Sequence, residues 1–390
     1  MKFLEKIFSI KNEIKNKRKY KVITFLGFKI KFRQKSHELE QQINMLSEKL
    51  KKQNIQSINQ QKYINEQQRK LLKQDEKIKK EIIETFKYSV LGENTHIKNF
   101  WNAIDFKQYE EKYKKLIKNL DNKSIDCISK VLSRVQFVAN GNKDNYDIWT
   151  NEELVQLRNL DKDFRLNIIK LSDECWAYKN YFLPKNMFSP SVFYYEHEIH
   201  SLENIASVKN KCIMDVGGYI GDSALVLSKY TDKQIYSFEP TTENYNYLLK
   251  TIELNNLQNV VPVKYGLGSE ECELSIYLQG GASSINRNIR ESSKETIKIT
   301  TLDKFVEKNN IEVGLIKVDI EGFEQQFLKG AENTIKTQKP TLLLSIYHSA
   351  NDFFQIKPYI ESLNLGYKLK IRKPIDGHIR GEILLLAEQV

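Results

Sequence analysis

The run Cys212-Ile-Met-Asp-Val-Gly-Gly-Tyr-Ile-Gly-Asp-Ser223 decides the fold. Cys212 to Met214 is an apolar stretch too short and too apolar for a surface strand. It ends at Asp215, and a turn containing Gly217, Gly218 and Gly221 follows. Asp222 to Tyr230 then reads as a helix with Leu225 and Val226 on its apolar side. Strand, glycine turn and helix in that order open an α/β sheet, whose ligands sit beyond the carboxyl ends of the strands. Glycine suits such a turn because a backbone without Cβ bends sharply and can approach a ligand closely.

The spacing selects the ligand. A dinucleotide fingerprint needs a glycine at its middle position, so that the pyrophosphate reaches the helix N-terminus. Tyr219 stands there instead, and Asp215 and Asp222 add carboxylates that would repel a pyrophosphate. The next strand, Gln234 to Phe238, ends at Glu239-Pro240, about twenty residues on, where an acid can accept both ribose hydroxyls. A nucleoside with a positive centre and no phosphate fits this set, and S-adenosylmethionine is such a molecule. The bland alternative is a glycine turn that merely joins strand to helix.

The chain of 390 residues allows two or three domains. Its net charge of +11 is uneven: to Val90 there are 23 Lys and Arg against 10 Asp and Glu, leaving 38 against 40 beyond. A basic arm of this kind could meet anionic lipid, nucleic acid or an acidic partner, although interleaved Lys, Gln and Asn usually form a solvated helix surface. Nucleic acid is not expected, because stacking aromatics are not interleaved with the basic residues. Four scattered cysteines with no CxxC pair argue against structural zinc and for a reducing compartment. No apolar run approaches the roughly twenty residues that span a bilayer, and the opening residues lack a signal peptide's apolar core. A cytoplasmic protein is expected, with peripheral contact at the inner membrane face through its basic N-terminus.

Four segments follow in order. Residues 1–35 form a short basic β-rich leader, in which Lys19 to Arg33 alternates around Gly27 as two strands. This leader resembles those found ahead of enzymes that build bacterial surface polysaccharides. Residues 36–90 read as a coiled-coil helix: Leu39, Ile43, Leu46 and Leu50 step by four and three, and Ile64, Leu71, Ile78 and Ile82 resume the pattern. Self-association as a homo-oligomer is the expected purpose, with an intramolecular hairpin or a single solvated helix as alternatives. Residues 91–192 form a mostly helical connector. Phe193 to Ile199 leads into the last segment, 193–390, as an edge strand, with Tyr195 and His197 as candidate acceptor contacts.

From there strands and helices alternate. Val260 to Tyr265 ends at Gly266, Leu274 to Leu278 and Ile297 to Thr300 are β-rich, and Leu315 to Ile320 and Leu342 to Tyr347 are apolar strands. Tyr367 to Arg372 with Ile383 to Ala387 closes as a hairpin. The expected fold is α/β, a doubly wound, Rossmann-like and mostly parallel sheet.

Three more motifs settle the family question. Gly280-Gly-Ala-Ser-Ser-Ile285 is a loop fit to close over a ligand, with Ser283 and Ser284 as candidate substrate contacts. Thr301-Leu-Asp-Lys-Phe305 opens a helix, and Ile316-Lys-Val-Asp-Ile-Glu-Gly-Phe-Glu324 is a strand ending in acids. Together with DVGGYIGDS and SFEP, these resemble the FkbM family of S-adenosylmethionine-dependent O-methyltransferases, over about Tyr195 to Ala387. The resemblance implies a class I methyltransferase fold, methyl transfer to hydroxyls of sugars or natural products, and cofactor contact by Asp215, Gly217, Gly221 and Glu239. It also places Asp319 and Glu321 at the transfer site. Gly218, Tyr219, Asp222, Ser223, Pro240 and Gly266 complete the candidate cofactor set. Gly218-Tyr219 departs from the family's commoner Ala-Asn.

Methyl transfer from a sulfonium is an in-line displacement, so alignment is the enzyme's main task, and a hydroxyl acceptor needs a positioned base. Asp319 and His348 end adjacent strands on the ligand side and are the candidates, with Glu321 weaker. Asp319, Glu321 and His348 could also hold a divalent ion, which the reading does not require. The expected activity is O-methylation of a sugar, such as a nucleotide-activated heptose, for capsule or lipopolysaccharide. The alternative is a non-catalytic coiled-coil or membrane-surface scaffold with a retired methyltransferase fold.

Overall fold

The computed structural model describes residues 8–15, 18–25, 28–33, 37–141, 148–277 and 294–390. The chain forms two compact units, Met1–Ile78 and Lys79–Val390. In the first, β1 (Phe8–Lys15), β2 (Arg18–Phe25) and β3 (Phe28–Arg33) form an antiparallel sheet in the order β1-β2-β3, one strand more than the expected hairpin. A helix then runs unbroken over His37–Asn102, as a stretch without proline or glycine between Ser36 and Phe86 allows. Along it Leu46, Leu50, Ile64 and Leu71 are exposed.

The second unit takes in the end of that helix, from Lys79, and then three helices, Tyr109–Ile117, Asn122–Ala139 and Asn151–Asp163. Asp121 caps the second by accepting from the Ser124 N–H, and Thr150 with Glu153 forms a capping box on the third. The connector is not all helix. Its second half is a small antiparallel sheet of β4 (Ile169–Ser172), β5 (Cys175–Tyr178) and β6 (Tyr181–Leu183). The stretch from Phe193 to Ile199 is not the edge strand its aromatics suggested. Pro190 starts a one-turn helix, Pro190–Phe193, and left-handed backbone at Glu196, His197 and Glu198 then turns the chain.

The main sheet follows. Its strands are β7 (Cys212–Val216), β8 (Ile235–Phe238), β9 (Val260–Val263), then, after β10 (Gly266–Leu267), β11 (Cys272–Tyr277) and β12 (Lys294–Thr300), β13 (Val313–Val318), β14 (Thr341–Ser345), β15 (Lys368–Arg372) and β16 (Leu384–Glu388). The seven-stranded order is β15-β16-β14-β13-β7-β8-β9, parallel except where β16 enters between β14 and β15. This is the expected doubly wound, Rossmann-like and mostly parallel sheet with its closing hairpin. β10, β11 and β12 stand apart as a second sheet in the order β10-β12-β11.

Both faces of the main sheet are covered, which is why its strands read as continuous apolar runs. On one face Met214, Val216, Ile316, Val318, Leu342 and Leu344 join a core that includes Ile97, Phe100, Leu116, Ile128 and Val135 from the helical segment. On the other, Ile213, Leu315 and Leu343 pack with Ile199, Val208 and Leu227. Each such fully buried aliphatic contributes about 1.5–3 kcal/mol. The strands are thereby fixed, and their carboxyl ends open together at one edge.

Candidate active site

A cavity of about 320 Å³ lies at that edge, lined from Met187 to Glu382. Its floor is the turn after β7. Gly217 has φ +83°, and a Cβ there would stand 1.9 Å from the Asp319 carbonyl oxygen, so glycine brings the two strand ends together. A Cβ on Gly218 would lie 2.2 Å from Ser237 Oγ, which donates to Asp215 Oδ2 at 2.7 Å. Gly218 therefore leaves room for a serine that serves Asp215. Gly221, at φ +87°, is the residue before the helix Asp222–Leu227.

Gly217, Tyr219, Asp222, Ser223, Glu239, Pro240 and Gly266 line the cavity. Asp215, Gly218 and Gly221, also expected to contact the cofactor, are not among the lining residues, and Asp215 is wholly buried. Glu239 is held by the Tyr219 N–H at 3.0 Å, the Thr241 N–H at 2.9 Å, Thr241 Oγ1 at 2.5 Å and the Asn244 side chain. Burial raises its pKa against these bonds.

Beneath the turn lies a row that sequence reading missed. Lys317, Asp215 and Ser237 are cross-strand partners on β13, β7 and β8. Lys317 Nζ stands 3.2 Å from Asp215 Oδ1 and donates to the Gly217 carbonyl at 2.9 Å. Its burial opposes the charge, but Asp215, Asp319 and Asp222 outweigh that and raise its pKa. Burial pushes Asp222 up to about 6 despite Lys317. A lone lysine inside an otherwise apolar strand was the available signal.

At the other end Asp319, Glu321, Tyr347 and Glu382 line the cavity. His348 Nε2 stands 3.3 Å from Asp319 Oδ1 and 3.7 Å from Glu321 Oε2, while Nδ1 stands 2.8 Å from Glu324 Oε1. The Tyr347 hydroxyl donates to Asp319 at 3.3 Å. Burial works against a charge on His348, yet Glu324, Asp319 and Glu321 hold its pKa up at about 9. His348 therefore carries a proton at neutral pH and is absent from the cavity lining.

Asp319, Glu324 and His348 could together hold a metal ion, their ligand atoms lying within 4.8 Å of one another. The donor set fits a proton better. Glu324 Oε1 already accepts the Ile320 N–H at 3.0 Å and faces His348 Nδ1, so the imidazolium compensates the carboxylates.

His197 also lines the cavity, buried, and its Nε2 has no hydrogen-bond partner. Burial and Lys317 push its pKa down to about 3, so the ring is neutral. Tyr195 is not among the lining residues; its hydroxyl donates to the Ile375 carbonyl at 2.9 Å. Ser283 and Ser284 lie outside the described residues. Tyr219, His197, Glu321 and Glu382 line the cavity on left-handed backbone, with φ between 44° and 61°. Such backbone costs about 1–3 kcal/mol per residue and clusters at ligand sites.

Comparison with known proteins agrees with this geometry. Residues 215–369 match the family described as "Methyltransferase FkbM domain". Hexuronic acid methyltransferase AglP of Haloferax volcanii is 29% identical over 126 residues, covering 32% of this chain and 52% of the relative. The chain thus spans about half the length of that relative. Methyltransferase 1 of Beauveria bassiana is 26% identical over 186 residues, 42% of this chain and 74% of its own. Among solved structures, methyltransferase FkbM from Methylobacillus flagellatus is similar at 18% identity and a TM-score of 0.46, over 74% of this chain and 61% of that one. The similarity to FkbM methyltransferases is thus carried by residues 215–369, the stretch that holds the glycine turn, Glu239 and Asp319.

Proposed function

We propose that the protein is an S-adenosylmethionine-dependent O-methyltransferase whose acceptor is a sugar hydroxyl. The observation that carries this is one continuous cavity with Glu239 at one end and Asp319 with Glu321 at the other. Glu239 accepts the ribose diol, and Tyr219 and Asp222 border the cofactor's path toward Asp319. Hydroxyl oxygen attacks the methyl carbon, the C–S bond breaks, the electron pair returns to sulfur, and the hydroxyl proton leaves to a carboxylate. Asp319, fixed by Tyr347 and the His348 imidazolium, aligns that oxygen and meets the positive charge growing on it.

The name of the Haloferax relative, a hexuronic acid methyltransferase, supports a sugar acceptor. A nucleotide-activated sugar such as a heptose, used in capsule or lipopolysaccharide assembly, is the acceptor we propose. Among the described lining residues the one Lys or Arg is Lys317, already paired with Asp215. A neutral polyol therefore suits the reacting end.

The first test is calorimetric titration with S-adenosylmethionine, followed by a screen of free and nucleotide-linked sugars for methyl acceptance. Micromolar binding supports the reading, whereas no binding at all sinks it and returns the weight to a scaffold.

We also propose that 193–390 is the catalytic segment, that the protein works in the cytoplasm at the inner membrane face, and that the helix His37–Asn102 pairs with a second copy. The support for pairing is the exposed stripe of Leu46, Leu50, Ile64 and Leu71. Light scattering of the intact chain tests it, and a monomer at micromolar concentration would refute it. No helix among the described residues is long and apolar enough to cross a membrane.

A further inference from the structure

Glu382 belongs to none of the motifs above, yet it faces the reacting end of the cavity. It lies just before β16, on left-handed backbone at φ +61°. The Ile346 N–H donates to the Ile383 carbonyl at 3.0 Å, which ties this position to the segment carrying Tyr347 and His348. Glu382 therefore shares the cavity with Asp319 while coming from a different strand. Ser191, also in the lining, hydrogen-bonds its carboxyl and touches Ser189 Oγ at 2.7 Å.

The two carboxylates differ in their partners. Asp319 has the His348 imidazolium at 3.3 Å and the Tyr347 hydroxyl, so its oxygens are already engaged. Glu382 faces like charges instead: Asp319 from the end of β13, and Asp376 from its own loop. Against these stand the Ser191 hydrogen bond and the charge of His378. Burial, then Asp319 and Asp376, push its pKa up to about 7. Groups of this kind, poised near neutrality, are the efficient proton acceptors.

We propose that Glu382 is the base that takes the acceptor hydroxyl's proton, and that binding of the cationic cofactor ionises it for that task. The proposal rests on the methyltransferase reading above. In the empty cavity Glu382 holds a proton, which lessens repulsion from Asp319. The sulfonium supplies the missing positive charge, and the proton leaves to solvent. During transfer the O–C bond forms, the C–S bond breaks, and the hydroxyl proton passes to Glu382. Sulfur becomes a neutral thioether, so the reason for an ionised Glu382 disappears together with the methyl group. Base activation and cofactor charge are thereby linked.

The test needs no acceptor. S-adenosylmethionine and S-adenosylhomocysteine are titrated calorimetrically from pH 5.5 to 8.5, in two buffers of different ionisation enthalpy. Expected are release of up to one proton with S-adenosylmethionine and affinity that rises up to tenfold per pH unit below about 7, then levels. The uncharged S-adenosylhomocysteine releases markedly less. Asp222, pushed up to about 6 by burial, titrates nearby, and His197 stays neutral throughout. Variants assign the proton. Glu382→Gln, its fold checked by circular dichroism, should lose the release, whereas Glu382→Asp should keep it. Ser191→Ala removes a hydrogen bond that opposes protonation and should move the midpoint upward, which keeps the test open if the Gln variant does not fold. Unchanged proton release in Glu382→Gln, or an unmoved midpoint in Ser191→Ala, overturns the proposal. Failure of S-adenosylmethionine to bind at any pH overturns the methyltransferase reading itself and the proposal with it.

Discussion

Lys317 and Asp215 face each other across β13 and β7, with Nζ 3.2 Å from Oδ1 and both side chains almost fully buried. A charge pair at such depth gains little net stability, but removing one partner strands the other. Lys317 also holds the Gly217 carbonyl at 2.9 Å and offsets Asp222 and Asp319. The ammonium thus couples the glycine turn to the transfer end of the cavity.

Lys317→Met should accordingly cost about 3–5 kcal/mol, the usual loss when a buried pair is broken from one side. Urea denaturation measures it. A loss below ~1 kcal/mol would mean that the pair does not organise the turn.

Asp319→Asn keeps the shape of the site and removes the charge beside the attacking oxygen. Cofactor binding, carried by Glu239 at the far end, should change little. Methyl transfer should fall about 10²–10⁴-fold, the range for a lost acid–base or alignment group. Radiolabel transfer with calorimetry on the same preparation separates the two. A variant with undiminished turnover would remove Asp319 from the reaction.

Gly218 offers a test of local packing. Gly218→Ala puts its Cβ 2.2 Å from Ser237 Oγ and should destabilise by about 1–3 kcal/mol through overpacking. Adding Ser237→Ala frees the space but costs Asp215 its 2.7 Å donor. The double variant should therefore recover part of the loss, giving a clearly non-additive cycle. Additive losses would show that the two side chains do not compete.

Much of the site could be read in the sequence because it lies at strand ends. The turn from Asp215 to Ser223, Glu239 after β8 and Asp319 after β13 each follow a short apolar run, and parallel strands bring such ends to one edge. His348 was placed beside Asp319 on the same logic, and the 3.3 Å separation agrees. Its protonation was not legible, since it depends on Glu324 at the start of another element, the helix Glu324–Gly330. Glu382 escaped notice because it follows a loop and joins Asp319 only through β14 and β16 pairing. The stretch 193–199 misled because its Phe and Tyr residues favour strands locally, while Pro190 and left-handed residues decide otherwise. β4–β6 were missed because strands of three or four residues leave little periodicity to read.

The charge on His348 gives a pH prediction for stability. Its folded pKa of about 9 lies above the model-peptide value of 6.5, so the imidazolium stabilises the fold fully below pH 6.5. That contribution falls as the pH rises through 9, since the folded state then gives up a proton that the unfolded chain has already lost. The shift corresponds to roughly 3–4 kcal/mol. In a urea series from pH 6 to 10, His348→Gln should be less stable than the parent at pH 6, with the gap closing toward pH 10. Glu382 weakens with pH in the adjoining window, from its ordinary range up to about 7, but it does so equally in parent and variant and cancels in the difference. A gap that stays constant across the series would show that His348 is neutral in the fold. The carboxylates around it would then need another cation, and a divalent metal that a chelator removes would be the candidate to test.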